Sequence, residues 1–208
     1  KENDPDYAAL VLLNDILGGG SFRSRLFQDV RTKQGLAYSV GSVLRVGSRA
    51  EGVWAMRTET KIASTREMIT RLVANVERLR EQPVTDDELQ EAKDAFVNSF
   101  VFSFTSPASI VNHRIELEYD GLPEDFLQRL RDQVMKLTKD DLLRAARAHL
   151  HPDRLKILAV GPPETAAVMG QILKLVVQGT IDVLRARSEI KSEFRLPVTR
   201  LKVSENNP

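Results

Sequence analysis

LGGGSFRSRLFQDVRTKQGLAY, residues 17–38, is the stretch that decides the fold. It reads as the end of one helix, a glycine hinge, a second helix, a glycine stop and the entry to a strand. Leu10, Leu13 and Leu17 recur at the spacing of one helical face, and Gly18, Gly19 and Gly20 end that helix. Ser21 is placed to cap the next helix, in which Phe22, Leu26, Phe27 and Val30 fall on one side. Gly35 suits a left-handed cap, because glycine takes a positive φ without a Cβ penalty. Residues 36–40 then read as a strand. Two polar residues flank the Gly35 corner: Arg31 on the last helical turn and Tyr38 inside the expected strand. A helix-to-strand corner can bring such a pair onto one surface.

The residue chemistry of this stretch leaves more than one reading open. Phosphate binding by the glycines at a helix N-terminus is one. A dinucleotide fingerprint, however, needs glycine three positions after Gly20, where Arg23 stands, and no Gly-Lys-Ser/Thr run is present for a P-loop. In the plainer reading the glycines are a hinge, Arg31 is a solvated cation favoured by the helix dipole, and Tyr38 is a half-buried strand aromatic.

Working outward, residues 38–46 and 51–58 read as two strands joined by a turn at Gly47, Ser48 and Arg49, with antiparallel pairing the simplest link. Trp54 and Met56 share one face of the second strand, and Val53 and Ala55 the other. Upstream, Asp4 or Asp6 can cap the helix of residues 7–17. Ser64-x-x-Glu67 and Thr85-x-x-Glu88 read as capping boxes opening two helices. Phe96, Phe100 and Phe104 make an aromatic stripe on the second of these. Pro107 breaks it. Further helices follow over residues 108–119, 124–134 and 139–150, the last capped by Thr138. Residues 155–160 form a short apolar run that reads as a strand. Strands and helices are segregated, so the fold class is α+β with a mostly antiparallel sheet backed by helices.

Composition sets outer bounds. The 208 residues carry 42% hydrophobic and 28% charged side chains and a formal net charge of +1, an ordinary globular balance without the basic excess of a nucleic-acid binder. There are no cysteines, so no disulfide framework and no thiolate metal site. No apolar run reaches membrane-spanning length. The first residue is Lys, which suggests a piece of a longer protein; cytoplasm and bacterial periplasm both stay open. Of the three histidines, His113, His149 and His151, no two stand four apart with a glutamate between them, as the inverted zinc motif requires. His149 and His151 sit at a helix end, where an imidazole can cap carbonyls. His113 with Glu116 and Glu118 is the cluster best placed to attract a metal, and its spacing equally suits a surface pair. The expectation is no zinc in this chain.

Residues 17–40 resemble the C-terminal half-repeat of pitrilysin/insulinase-type zinc metallopeptidases, the mitochondrial processing peptidases among them. The likeness continues through PVTDDELQEAK (83–93), NSFVFSF (98–104), LEYDGLPEDFL (117–127), VMKLTKDDLLRAARAHLHPDRL (134–155) and ILAVGPPE (157–164), in the family's order. The resemblance implies a LuxS/MPP-like metallohydrolase half-repeat over residues 1–163, with its first strands lying upstream, and a C-terminal extension of unassigned role over 164–208. It implies the non-catalytic half of a zinc endopeptidase. In that family the zinc-bearing half hydrolyses the peptide, and the other half lends an Arg and a Tyr seven residues apart. Arg31 and Tyr38 occupy that pattern, and the glycine run, with Gly19, Gly20 and Ser21, occupies the place of a substrate-contacting loop. The partners implied are a zinc-bearing half-domain or subunit, in a homo- or heterodimer where the halves are separate chains, and a peptide substrate; the charge balance argues against nucleic acid, and no membrane segment is expected in this fragment. The alternative is a structural or interaction domain of the same fold without a peptidase role.

Overall fold

The computed structural model describes residues 1–20, 22–47, 52–102, 106–162 and 170, the side chains of residues 100–102 excepted. Two compact units are present, Lys1–Ile157 and Leu158–Pro208, and the architecture below is that of the first.

Helix α1, Tyr7–Asn14, is apolar all round and runs through the centre of the core. Leu12 and Leu13 are fully buried, as is Leu17 in the π-helical turn Asp15–Gly19 that extends it. Asp6 stands at the N-cap position, yet its side chain makes no capping bond. Its carboxylate instead accepts both prongs of the Arg144 guanidinium, at 2.6 and 3.1 Å, and lies 3.0 Å from Nε2 of His149. His149 therefore turns to a carboxylate rather than capping carbonyls.

The second helix, α2, is a π-helix over Phe27–Lys33. Its inward face carries Leu26 and Val30, both fully buried, whereas Phe22 is mostly exposed and does not join that face. Ser21, the expected cap, lies outside the described residues. Gly35 has φ +60°, and the N–H of Leu36 reaches back to the carbonyl of Val30 at 2.8 Å, a left-handed closure of the expected kind.

The strand begins later than the sequence suggests. β1 is Val40–Arg45 and pairs antiparallel with β2, Val53–Thr58, from Val40 opposite Thr58 to Arg45 opposite Val53. Because β2 ends at Thr58, residues 36–39 lie beyond the paired register, where Glu59 N–H still donates to the carbonyl of Ser39 at 3.4 Å. Hydroxyl groups substitute: Thr60 donates to the carbonyl of Leu36 at 2.8 Å and Thr58 to that of Ser39 at 3.1 Å. Tyr38 thus precedes the sheet rather than lying in it. Trp54 and Met56 share the face that packs on the core, and the buried indole N–H of Trp54, the single tryptophan, finds no acceptor among the described residues.

Helix α3, Thr65–Glu81, is entered by a 3-10 turn over Ile62–Ser64; Ser64 stands at the N-cap, but with helical dihedrals its side chain makes no capping bond, and Glu67 pairs with Arg71 instead. Helix α4, Asp86–Phe102, does start with the Thr85–Glu88 box, its two bonds at 2.8 and 3.1 Å. Phe96 packs on the core; Phe104 and the side chain of Phe100 lie outside the described residues. Helices α5, Pro107–Asp120, α6, Phe126–Lys136, and α7, Lys139–His149, follow. Gly121, at φ +67°, ends α5, and Thr138 with Asp141 caps α7. The buried Leu130, Val134, Leu142, Ala145 and Ala146 bring α6 and α7 onto α1. Residues 155–160 are not a strand: an apolar run needs a neighbouring strand to pair with, and none stands beside it among the described residues. The fold is a small antiparallel sheet backed by helices, α+β as expected.

Candidate functional site

The Gly35 corner turns the chain so that Arg31 and Tyr38 meet on one surface. The Arg31 guanidinium lies over the Tyr38 ring at 5.0 Å and over the Phe27 ring at 4.5 Å. Phe27 stands one helical turn before Arg31, and Phe22 packs edge-on against it at 4.9 Å. Tyr38 is 82% exposed and Phe22 73%. Among the described residues Arg31 has no carboxylate partner and the Tyr38 hydroxyl no hydrogen bond. A cation held by two π faces keeps its N–H edge available for donation. The arrangement can present two hydrogen-bond donors to a carbonyl-rich ligand.

The helix beneath is clamped from two sides. Arg25 forms a two-pronged pair with Glu88, at 2.7 and 2.8 Å, tying the start of α2 to the cap of α4. Burial raises the Glu88 carboxyl, but Arg25 and the Thr85 bonds outweigh it and hold the group below its ordinary range. On the other side, Asp29 accepts from Arg71 and Asn75 of α3.

The glycine run has a packing explanation. A Cβ on Gly18 would lie 2.8 Å from the backbone N of Ser42 and 2.9 Å from Cδ1 of Leu26; one on Gly19 would lie 2.5 Å from the Asn14 amide nitrogen. Gly18 lets the π turn approach β1, an approach sealed by the Ser42 hydroxyl donating to the carbonyl of Asn14 at 3.0 Å. Gly19 and Gly20 are exposed on that turn. Ser21 lies outside the described residues. A cavity of about 310 Å³ opens nearby, its lining including Asp15, Arg23, Glu88 and Glu91; neither Arg31 nor Tyr38 lines it. Burial pushes the Asp15 carboxyl up.

The sequence reading missed one cluster. Asp4, Asp6 and His149 bring potential ligand atoms within 4.8 Å of one another. The fit to a catalytic zinc is poor, because Arg144 already occupies both oxygens of the buried Asp6. That guanidinium holds the Asp6 carboxyl below its ordinary range against the opposing pull of burial, with His149 adding to it. His113 and Glu116 form a surface pair at 3.4 Å.

Comparisons with known proteins bear on this geometry. Residues 1–96 match the family described as the peptidase M16 inactive domain, and residues 148–208 the family described as the C-terminal domain of the type VI secretion system FHA protein. The non-peptidase homolog YmxG of Helicobacter pylori is 29% identical over 72% of this chain and 34% of its own length. A protein of Mycobacterium tuberculosis named as an uncharacterized zinc protease is 32% identical over 81% of this chain and 38% of its own. A crystal structure of a peptidase M16 inactive domain from Pseudomonas fluorescens superposes with a TM-score of 0.68 and 31% identity, over 74% of this chain and 36% of that one. The chain thus spans about a third of the length of the curated relatives it matches.

Proposed function

We propose, from the premise that residues 1–96 belong to the peptidase M16 inactive-domain family, that this chain is the substrate-holding half of a two-half zinc endopeptidase. The zinc resides in the other half, on the same polypeptide or on a separate subunit, and the two halves enclose a peptide. In this reading residues 1–163 form the inactive half and residues 164–208 an extension. The observation that carries the proposal is the Arg31 guanidinium lying over both the Phe27 and Tyr38 rings with no acid to neutralise it among the described residues. A solvated surface cation has no need of two aromatic faces; a donor kept ready for a backbone carbonyl does. The guanidinium offers several donors in a fixed plane and the phenol one more. Held in place before the peptide arrives, they stabilise negative charge that develops on an attacked carbonyl oxygen. Gly19, Gly20 and Ser21 belong to the proposed peptide-contacting rim.

The described residues of this chain do not fit a catalytic zinc, so no hydrolytic step is assigned to it. No helix among the described residues is long and apolar enough to cross a membrane. A scaffold role without proteolysis is the second reading, favoured by the name non-peptidase homolog carried by the Helicobacter pylori relative. The test is turnover of a peptide by the protein with both halves present. Arg31→Ala and Tyr38→Phe are each expected to lower kcat by about 10²–10³ with the melting temperature unchanged. Wild-type turnover in both variants, or no turnover in the parent, favours the scaffold.

A further inference from the structure

We infer that Asp29 is a positioning residue, which sets the direction of Arg31 by locking α2 against α3. The inference rests on the peptide-binding reading of Arg31. Asp29 and Arg31 are two residues apart, so they point to opposite sides of the helix. Whatever holds Asp29 therefore fixes the rotation of α2, and with it where Arg31 aims.

What holds Asp29 is a network with a buried centre. Its Oδ1 accepts from Nη1 of Arg71 at 3.1 Å. Its Oδ2 accepts from Nδ2 of Asn75 at 2.7 Å and from Nη2 of Arg78 at 3.5 Å. Asn75 is 1% exposed. Its amide also donates to the carbonyl of Arg71 at 2.9 Å, and its Oδ1 accepts from Arg78 at 3.2 Å. The amide group is thus fully engaged, and turning α2 away would strand a buried donor, which is costly. Between the two polar sides sits Val30, fully buried in a small cluster with Met68 of α3 and Ala37. Ala37 immediately precedes Tyr38. One face of α3 therefore orients both donors: Arg31 through Asp29 and Val30, Tyr38 through Ala37. A network that served only stability would not need to sit two residues from one donor and oppose it across the helix.

The experiment is a double-mutant cycle in the protein with both halves present, reading kcat, KM and melting temperature. Asp29→Asn keeps the shape and removes the charge. Misplacement of a positioned donor costs about ten- to a hundredfold in rate, so Asp29→Asn should lower kcat by that factor with KM changed less than about threefold. In an Arg31→Ala background it should cost nothing further in kcat, because the group it aims is gone. Arg78→Gln, which removes the guanidinium contacts to Asp29 and to Asn75 Oδ1 but leaves the Asn75–Asp29 bond, should show the same pattern more weakly and serves where Asp29→Asn folds poorly. Equal losses of kcat in the two backgrounds would overturn the inference, as would a lowered melting temperature with unchanged kcat. If Arg31→Ala alone leaves turnover unchanged, the site reading falls first and this inference falls with it.

Discussion

Replacing Gly18 with Ala is the sharpest probe of what the glycine run is for. The added methyl would sit 2.8 Å from the backbone N of Ser42, 2.9 Å from Cδ1 of Leu26 and 3.1 Å from the backbone carbon of Gly41. Two of these are main-chain atoms of β1, which no rotamer change can move, and the third belongs to a fully buried leucine. Overpacking of this kind costs about 1–3 kcal/mol, and the blocked escape routes put Gly18 in the upper part of that range. Alanine's better helical propensity offsets about 0.5–1 kcal/mol. The net expectation is a loss of about 1–2 kcal/mol, or a fall of about 3–6 °C in melting temperature for a domain of this size. Thermal unfolding followed by circular dichroism reads it directly. Gly20→Ala is the control: its Cβ meets only Oδ1 of Asp15, at 3.1 Å, and its φ of −167° is open to any residue. It should stay within about 0.5 kcal/mol of the parent. An unchanged or raised melting temperature for Gly18→Ala would refute the packing account and return the run to the role of a loose loop.

Two further outcomes are expected. The Asp6 carboxyl, held below its ordinary range chiefly by Arg144, contributes stability that is fully present above about pH 4 and drains away as the pH falls through its folded value. Asp6→Asn should therefore cost about 1–3 kcal/mol near neutrality and flatten the acid limb of a melting-temperature profile; a parallel acid limb in the variant would contradict this. Metal analysis of this chain after dialysis should find no stoichiometric zinc, and a tightly bound equivalent would overturn its assignment as the non-catalytic half.

Local signals in the sequence carried far. Gly35 ends its helix in the left-handed conformation, and the boxes at Thr85 and Thr138 open theirs, because each depends on contacts only a few residues away. Ser64 shows the limit of the same logic: its box competes with a 3-10 turn that starts α3 early. The strand expected over residues 155–160 failed because a strand is a property of its neighbour as much as of itself. At the site, the Arg31–Tyr38 pairing was readable from a glycine corner between them. The clamp beneath it was not. Asp29 finds Arg71 and Asn75 more than forty residues downstream, and Asp6 finds Arg144 across 138. No periodicity or motif marks such partners before the chain has folded.

The lone tryptophan has a practical consequence. With one indole in the molecule, set in β2 against the core, intrinsic fluorescence carries a single origin and needs no label. Its emission colour will report how dry the underside of the sheet stays. Any event that loosens β2, whether acid, heat or docking of another body, becomes visible as a drift toward longer wavelength.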